Sequence, residues 1–175
     1  MKTSRILLIV ALVVILIPVL GFAAWYLKRG IELDIFFVNK SMVNYKGTEN
    51  KSFNWVLNNL KILRPGKIRY HMGIHYNGTH FKGKTHRTVY PQLKDIDRLL
   101  ERTDLVYYAD LAGIKASKMG MLKNGEEDKL TNGGFNNTDF ILSKKAFDAG
   151  MKYIAECNYF DDLTEPLMRY KIEQL

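Results

Sequence analysis

Apolar residues run without a charge from Ile6 to Leu27, and beyond that point they break into short runs divided by polar stretches. At about 1.5 Å per residue the first run makes a helix of about 33 Å, enough for a bilayer core of about 30 Å. Lys2 and Arg5 precede it, and Lys28 and Arg29 follow it. Trp25 and Tyr26 sit near its second end, where amphipathic rings favour the headgroup layer. Pro18 is tolerated inside a membrane helix. The competing reading is a signal peptide cleaved after Ala23, but its apolar core would run to only about 7–15 residues. The length of the run and the basic pair behind it favour a retained anchor. The positive-inside bias then puts the N-terminus in the cytoplasm and the rest outside. The expected organisation is an anchor with short flanks over 1–29 and a soluble domain over 30–175.

The later runs change period. Glu32 to Asn39 is short, apolar and closed by polar residues, and predicts a buried strand. Over Ser52 to Lys61, Phe53, Val56, Leu57 and Leu60 share a helical face, and Pro65-Gly66 follows as a stop. Lys67 to His75 reads as a second, polar strand. Val89, Leu93, Ile96, Leu99 and Leu100 repeat at helical spacing and predict a helix over Thr88 to Arg102. Asp104 to Asp110 is a third strand, Lys115 to Asn137 a Gly/Asn/Lys-rich loop, and Met151 to Cys157 a fourth strand. Asn137 or Thr138 is expected to cap a helix running to Asp148, with Gly150 at its C-terminal end. Thr164 is expected to cap a last helix. Strands alternating with helices predict a three-layer α/β domain of flavodoxin-like or Rossmann-like type. Its sheet would be mostly parallel, with about four strands.

Composition narrows the chemistry. The 175 residues are a prior for one domain, and 47% hydrophobic with 25% charged residues excludes a wholly disordered chain. The single cysteine, Cys157, excludes an intrachain disulfide and a zinc knuckle, and its apolar surroundings mark it as a packed side chain. Net charge is +8, yet four of the 26 Lys and Arg flank the anchor, so 22 basic residues face 18 acidic ones beyond Gly30. Those charges are segregated: no acid lies between Glu49 and Asp95, where Lys67, Arg69, Lys82, Lys84 and Arg87 form the expected anion-binding patch. Near a membrane, such a patch suits anionic lipid headgroups or an acidic glycan. Nucleic acid is not expected for a domain outside the cytoplasm. The competing reading is a solvated basic face.

In open parallel sheets, ligands bind outside the carboxyl ends of the strands. Asn39 and Lys40, then Asp110, then Glu156 and Asn158 lie at three such ends and are expected to line one cleft. Asp110 and Glu156 are the candidate carboxylate pair for acid–base chemistry, against the alternative that each merely ends a strand. Gly133-Gly134 precedes a helix N-terminus, a place where a phosphate can be held on backbone N–H groups. No dinucleotide or P-loop glycine pattern accompanies it. His71, His75, His80 and His86 cluster without recognised ligand spacing, so neither a metal nor a cofactor is expected. Neither G-x-S-x-G nor H-E-x-x-H occurs. Four Asn sequons, at Asn39, Asn50, Asn77 and Asn136, matter only in a pathway that glycosylates them.

The order of segments carries a resemblance. An anchor leads into Asp34-Ile-Phe-Phe-Val-Asn39-Lys40. Then come Asn54-Trp55-Val-Leu-Asn58, Leu105-Val-Tyr-Tyr-Ala-Asp110 with Gly113, Gly133-Gly134, and Tyr153-Ile-Ala-Glu156-Cys-Asn158 near Thr164. Over most of residues 30–170 this resembles the front portion of a family of uncharacterised bacterial membrane-anchored proteins. Their soluble domain looks like the class I glutamine amidotransferase or flavodoxin-like fold. The resemblance implies fold and location. It also implies a short or truncated member, since that family continues well past this point. Amidotransferase chemistry does not carry over, because the turn after Asp110 holds Leu111, Ala112 and Gly113 where the nucleophilic cysteine would stand.

The expected function is a single-pass, membrane-anchored, extracytoplasmic α/β binding module for an anionic envelope component, without catalysis. One alternative is a membrane-tethered enzyme acting on glycan through Asp110 and Glu156. The other is a structural subunit of an envelope complex.

Overall fold

A computed structural model describes residues 2–41, 50–71, 73–82, 85–111, 113–115, 130–156 and 166–173. Helix α1 (Lys2–Leu27) runs through Pro18, and beyond Arg5 it is apolar on every side and exposed apart from the half-buried Trp25. Its length and composition suffice to cross a bilayer, a property signal sequences share.

The rest is α/β with mixed sheets. The principal sheet has five strands in the order β10 (Lys152–Ala155), β7 (Leu105–Asp110), β2 (Ile35–Asn39), β5 (Asn77–Lys82) and β6 (Thr85–Val89). The first four pair in parallel, and β6 closes the edge as an antiparallel hairpin partner of β5. A small sheet joins β1 (Ile31–Glu32), β3 (Ile62–Arg64) and β4 (Ile68–Arg69), and a ribbon pairs β8 (Ile114–Lys115) with β9 (Leu130–Asn132).

Strand alternation sorts the core into two halves. Phe36, Val38, Val106 and Tyr108 pack with Ile96 of α3 (Ile96–Leu100), Leu142 and Ala146 of α4 (Asn137–Asp148) and Met168 of α5 (Pro166–Ile172). Ile35, Phe37, Leu105, Tyr107 and Ala109 pack on the other side with Leu57 of α2 (Lys51–Asn59) and with Tyr70 and Tyr76. Burial on both faces is why β2 and β7 are continuous apolar runs.

Several expectations are corrected. The run from Glu32 splits, because β1 leaves for the small sheet before β2 begins. Among the described residues of the segment 67–75 only Ile68–Arg69 is strand, and it lies in the small sheet. Lys67 has φ +60°, and the N–H groups of Ile74 and His75 turn back onto the His71 carbonyl. The principal sheet takes Asn77–Lys82 instead. The helix expected from Thr88 starts later: Tyr90 precedes Pro91, which disfavours helical backbone before it. Thr85–Val89 is therefore strand, and a 3-10 turn at Leu93–Asp95 leads into α3. The loop over 115–137 carries β8 and β9 at its ends, and its interior lies outside the described residues. So do Lys84, Ala112, Cys157, Asn158 and Thr164.

Helix α4 follows its local signals. Asn136 caps it, accepting from Thr138 and Asp139 N–H, while Asp139 accepts from Asn136 N–H in return. Gly150, at φ +65°, follows its last turn.

Candidate functional site

Alternation also divides the expected cleft. Asn39 faces the α2 side of the sheet, and its neighbour Lys40 faces α4. The Asn39 amide donates to Asn50 Oδ1 at 2.7 Å and accepts from Ser41 N–H at 3.0 Å. A bulge intervenes in β7: Val38 pairs with Tyr108, but Asn39 pairs with Asp110. The extra residue re-aims the strand end, so that Ala109 and Asp110 both line one cavity, which strict alternation would forbid. That cavity holds about 100 Å³ and is lined also by Asn39, Asn50, Tyr107 and Glu156. The Phe37, Phe53 and Tyr107 rings stack beside it, with Phe53 and Tyr107 centroids 4.4 Å apart. The Tyr107 hydroxyl donates to the Glu156 carboxylate. Burial, and then that carboxylate, pushes Tyr107 well above the ordinary phenol range. Asn39, Asp110 and Glu156 are thus brought together.

Lys40 is not among them. Its ammonium, on a side chain 4% exposed, lies 2.5 Å from Asp139 Oδ2, which is wholly buried, and donates to the Gly134 carbonyl at 3.0 Å. It also stands 4.7 Å from the Tyr90 ring centroid. The other oxygen of Asp139 accepts from Tyr90 and, at 3.3 Å, from Tyr108. Burial foremost, with Asp139 beside Tyr90 and the Tyr90 phenol beside Tyr108, pushes both tyrosines far up, so both stay neutral donors. Gly133 and Gly134, at φ +138° and +69°, turn the chain so that the Gly134 carbonyl meets Lys40 and its N–H meets the Leu111 carbonyl. With Asn136, Thr138 and Asp139 N–H committed to the capping box, the glycine loop closes a buried ion pair. It offers none of those groups to a phosphate.

The basic residues fall in two places. Lys67 and Arg69 lie at the small sheet, and Lys82 and Arg87 on the β5–β6 hairpin of the principal sheet. The small sheet meets the end of α1. Trp25 Nε1 donates to the Asn59 carbonyl at 2.6 Å, and Lys61 Nζ donates to the Tyr26 and Lys28 carbonyls at 2.7 and 2.8 Å. Lys61 also faces the Trp25 and Tyr26 rings. A cation thereby satisfies the last carbonyls of α1.

A larger cavity, about 290 Å³, opens at the opposite end of the sheet from Asp110. Arg64, Arg102, His75, Asp34, Asn77 and Tyr70 are among its lining residues. The Tyr70 hydroxyl accepts from Ile35 N–H at 2.8 Å and donates to the Leu33 carbonyl at 2.5 Å. Burial pushes it up to about 12. Burial also raises the Asp34 carboxyl, against the pull of Arg64 and Arg102, and lowers His75. Nothing in the sequence joins its walls: Arg64 and Arg102 are 38 positions apart, one at the end of β3 in the small sheet and the other ahead of β7 in the principal sheet.

Of the histidines, His71 N–H donates to His75 Nδ1 at 3.0 Å, and His80 stacks on Tyr76 at 4.0 Å. Among the described residues no group of three or more His, Cys, Asp or Glu side chains could hold a metal. Comparison with known protein families, with curated proteins and with solved structures finds no match.

Proposed function

We propose that the chain is a single-pass membrane protein whose extracytoplasmic α/β domain is a non-catalytic binding module for an anionic component of the membrane surface. The parallel strands run in the order second, first, third, fourth along the chain, the flavodoxin-like order, with β6 added at the edge. The observation that carries the functional reading is the junction with α1. Lys61, Trp25 and Asn59 join the helix end to α2 and β3. Two kinds of exposed residue stand out around that junction, apolar Ile31, Leu60, Ile68 and Ile74 and basic Lys28, Arg29, Lys67 and Arg69; the acid Glu32, also exposed, accepts from Gly66 N–H. A face that mixes the two, continuous with a membrane helix, suits the headgroup layer of an anionic bilayer. There each cation contributes about 1 kcal/mol.

Hydrogen exchange tests it. With the full chain in nanodiscs, amides of Ile31–Glu32 and Ile68–Arg69 are expected to exchange several-fold more slowly in phosphatidylglycerol-containing discs than in phosphatidylcholine. The difference is expected to fade at about 0.5 M salt, as screening requires. Lys67→Glu with Arg69→Glu should abolish it. Equal exchange in both lipids, or a mature chain recovered without residues 1–27, would overturn the reading.

One observation favours a second reading, a tethered enzyme acting on glycan: Asp110 and Glu156 line the same cavity. That reading expects Asp110→Asn and Glu156→Gln each to slow glycan cleavage about 100-fold or more. Absence of cleavage by the wild-type chain ends it.

A further inference from the structure

We propose that the cavity between Arg64 and Arg102 binds a phosphoryl group carrying a hydroxylated substituent, the chemistry of glycerol phosphate. This site rests on the membrane-surface reading for its location but not for its chemistry.

Four observations converge. First, two guanidiniums reach one cavity from separate elements, Arg64 from the end of β3 and Arg102 just past α3. Planar guanidinium forks match phosphate oxygens in pairs. Second, among the described residues neither guanidinium makes a hydrogen bond or an ion pair within 4.0 Å, so their donors are uncommitted. Asp34 influences both through space and is the one acid that lines the cavity, with Asp104 acting on it from outside the lining. Third, the remaining lining divides the way a headgroup does. Asn77, whose amide donates to the Phe37 carbonyl, and Thr103, whose hydroxyl donates to the Leu99 carbonyl, keep acceptor oxygens for hydroxyls, Asp34 offers another, and Ile74 and Leu99 offer apolar walls. The volume of about 290 Å³ lies at the lower edge of the roughly 300–1,000 Å³ usual for small-molecule sites, which suits a headgroup rather than a larger ligand. Fourth, Asp34 follows Leu27 by seven residues, so the cavity is at most about 25 Å of extended chain from the end of the anchor. Arg64 belongs to the strand whose preceding Lys61 caps that helix.

The ordinary role for such arginines is to balance Asp34 and Asp104. That role predicts that removing Asp34 weakens the fold and helps no ligand. The present proposal predicts the opposite for the ligand, since Asp34 is the one charge in the cavity that repels an anion.

The test titrates the full chain in detergent micelles with sn-glycerol 3-phosphate, and in parallel compares phosphatidylglycerol with phosphatidylcholine nanodiscs, reading the melting temperature and calorimetric binding. Saturable binding of soluble glycerol phosphate is expected. It should weaken at least about tenfold in Arg64→Gln with Arg102→Gln, as loss of charge-assisted hydrogen bonds requires. Arg64→Lys should fall between, and Asp34→Asn should tighten binding several-fold. Binding confined to phosphatidylglycerol discs and lost in the arginine variant also supports the site and names the lipid as its source. Failure of both probes to bind, or equal binding by the arginine variant, overturns it, as does weaker binding by Asp34→Asn in a chain that still melts cooperatively. Lys67→Glu with Arg69→Glu separates the two proposals: it should remove the lipid-dependent protection of the small sheet and leave soluble glycerol phosphate bound.

Discussion

Asp139→Ala is expected to destabilise the domain by about 3–5 kcal/mol, the cost of leaving a buried charge without its partner. For a domain of this size that corresponds to a fall in melting temperature on the order of 10 °C. The reason is the company Asp139 keeps. Its carboxylate is wholly buried and accepts from Lys40, the Asn136 N–H, Tyr90 and Tyr108 at once. Without it, the Lys40 ammonium retains only the Gly134 carbonyl and the face of Tyr90. The helix loses half of its capping box, and the Tyr90 and Tyr108 phenols lose a shared acceptor. Lys40→Met should cost less, because the carboxylate keeps three donors. The double variant Lys40→Met with Asp139→Ala should be more stable than the two single losses added together, by about 1–3 kcal/mol, as coupled neighbours are. Thermal melts of the four proteins in detergent, followed by circular dichroism, give the cycle. A single Asp139→Ala loss within about 1 kcal/mol would mean that Lys40 finds water in its place.

That ion pair shows where the sequence stops being legible. Helix α4 is written locally: a polar cap at Asn136, helical spacing, and glycine after the last turn. β7 is written locally too, as an unbroken apolar run. Lys40 and Asp139 are 99 positions apart, and nothing near either names the other. Period-two alternation does say that Asn39 and Lys40 must part to opposite faces, and on that ground Lys40 falls out of the cleft. The bulge at Ala109 has no such signature, yet it is what turns Asp110 toward Glu156's cavity. The β5–β6 hairpin carries little apolar signal because its strands, Asn-Gly-Thr-His-Phe-Lys and Thr-His-Arg-Thr-Val, are polar, as a sheet edge permits. The signal available was the dipeptide Gly83-Lys84 between two runs containing Thr and Phe, a spacing typical of two-residue hairpin loops. The arginine cavity was illegible for a different reason. It is assembled from a strand end in one sheet and a helix end below another, and only the fold puts them side by side.

Gly78→Ala is expected to detach that hairpin from the principal sheet at a cost on the order of 3 kcal/mol, the scale of a backbone forced into a glycine-only conformation and a contact that cannot relax. Gly78 has φ +154°, and a Cβ there would stand 1.9 Å from the Asn39 carbonyl oxygen and 2.9 Å from its carbon. The obstacle is backbone on both sides, so no rotamer change relieves it. The junction is also slender: β5 meets β2 through only two residue pairs, Val38 with Asn77 and Asn39 with Gly78. Asn77 adds one side-chain bond to the Phe37 carbonyl at 3.0 Å, and Tyr76 OH donates to the Thr79 carbonyl at 2.6 Å within the turn region. Loss of the Gly78 pairing should therefore open β5 and β6 locally while β7, β10 and α4 stay closed, since their contacts lie on the other side of β2. Hydrogen exchange separates the cases: amides of 77–82 and 85–89 should exchange at least about tenfold faster while those of 139–148 hardly change, the reverse of the pattern expected for Asp139→Ala. Because Tyr76 and Asn77 line the arginine cavity, the same substitution should weaken glycerol phosphate binding without touching a charge. Unchanged exchange across the hairpin would mean that β2 and β5 can separate by the ångström or more that a methyl group needs, and that the edge of this sheet is held by something other than the Asn39–Gly78 approach.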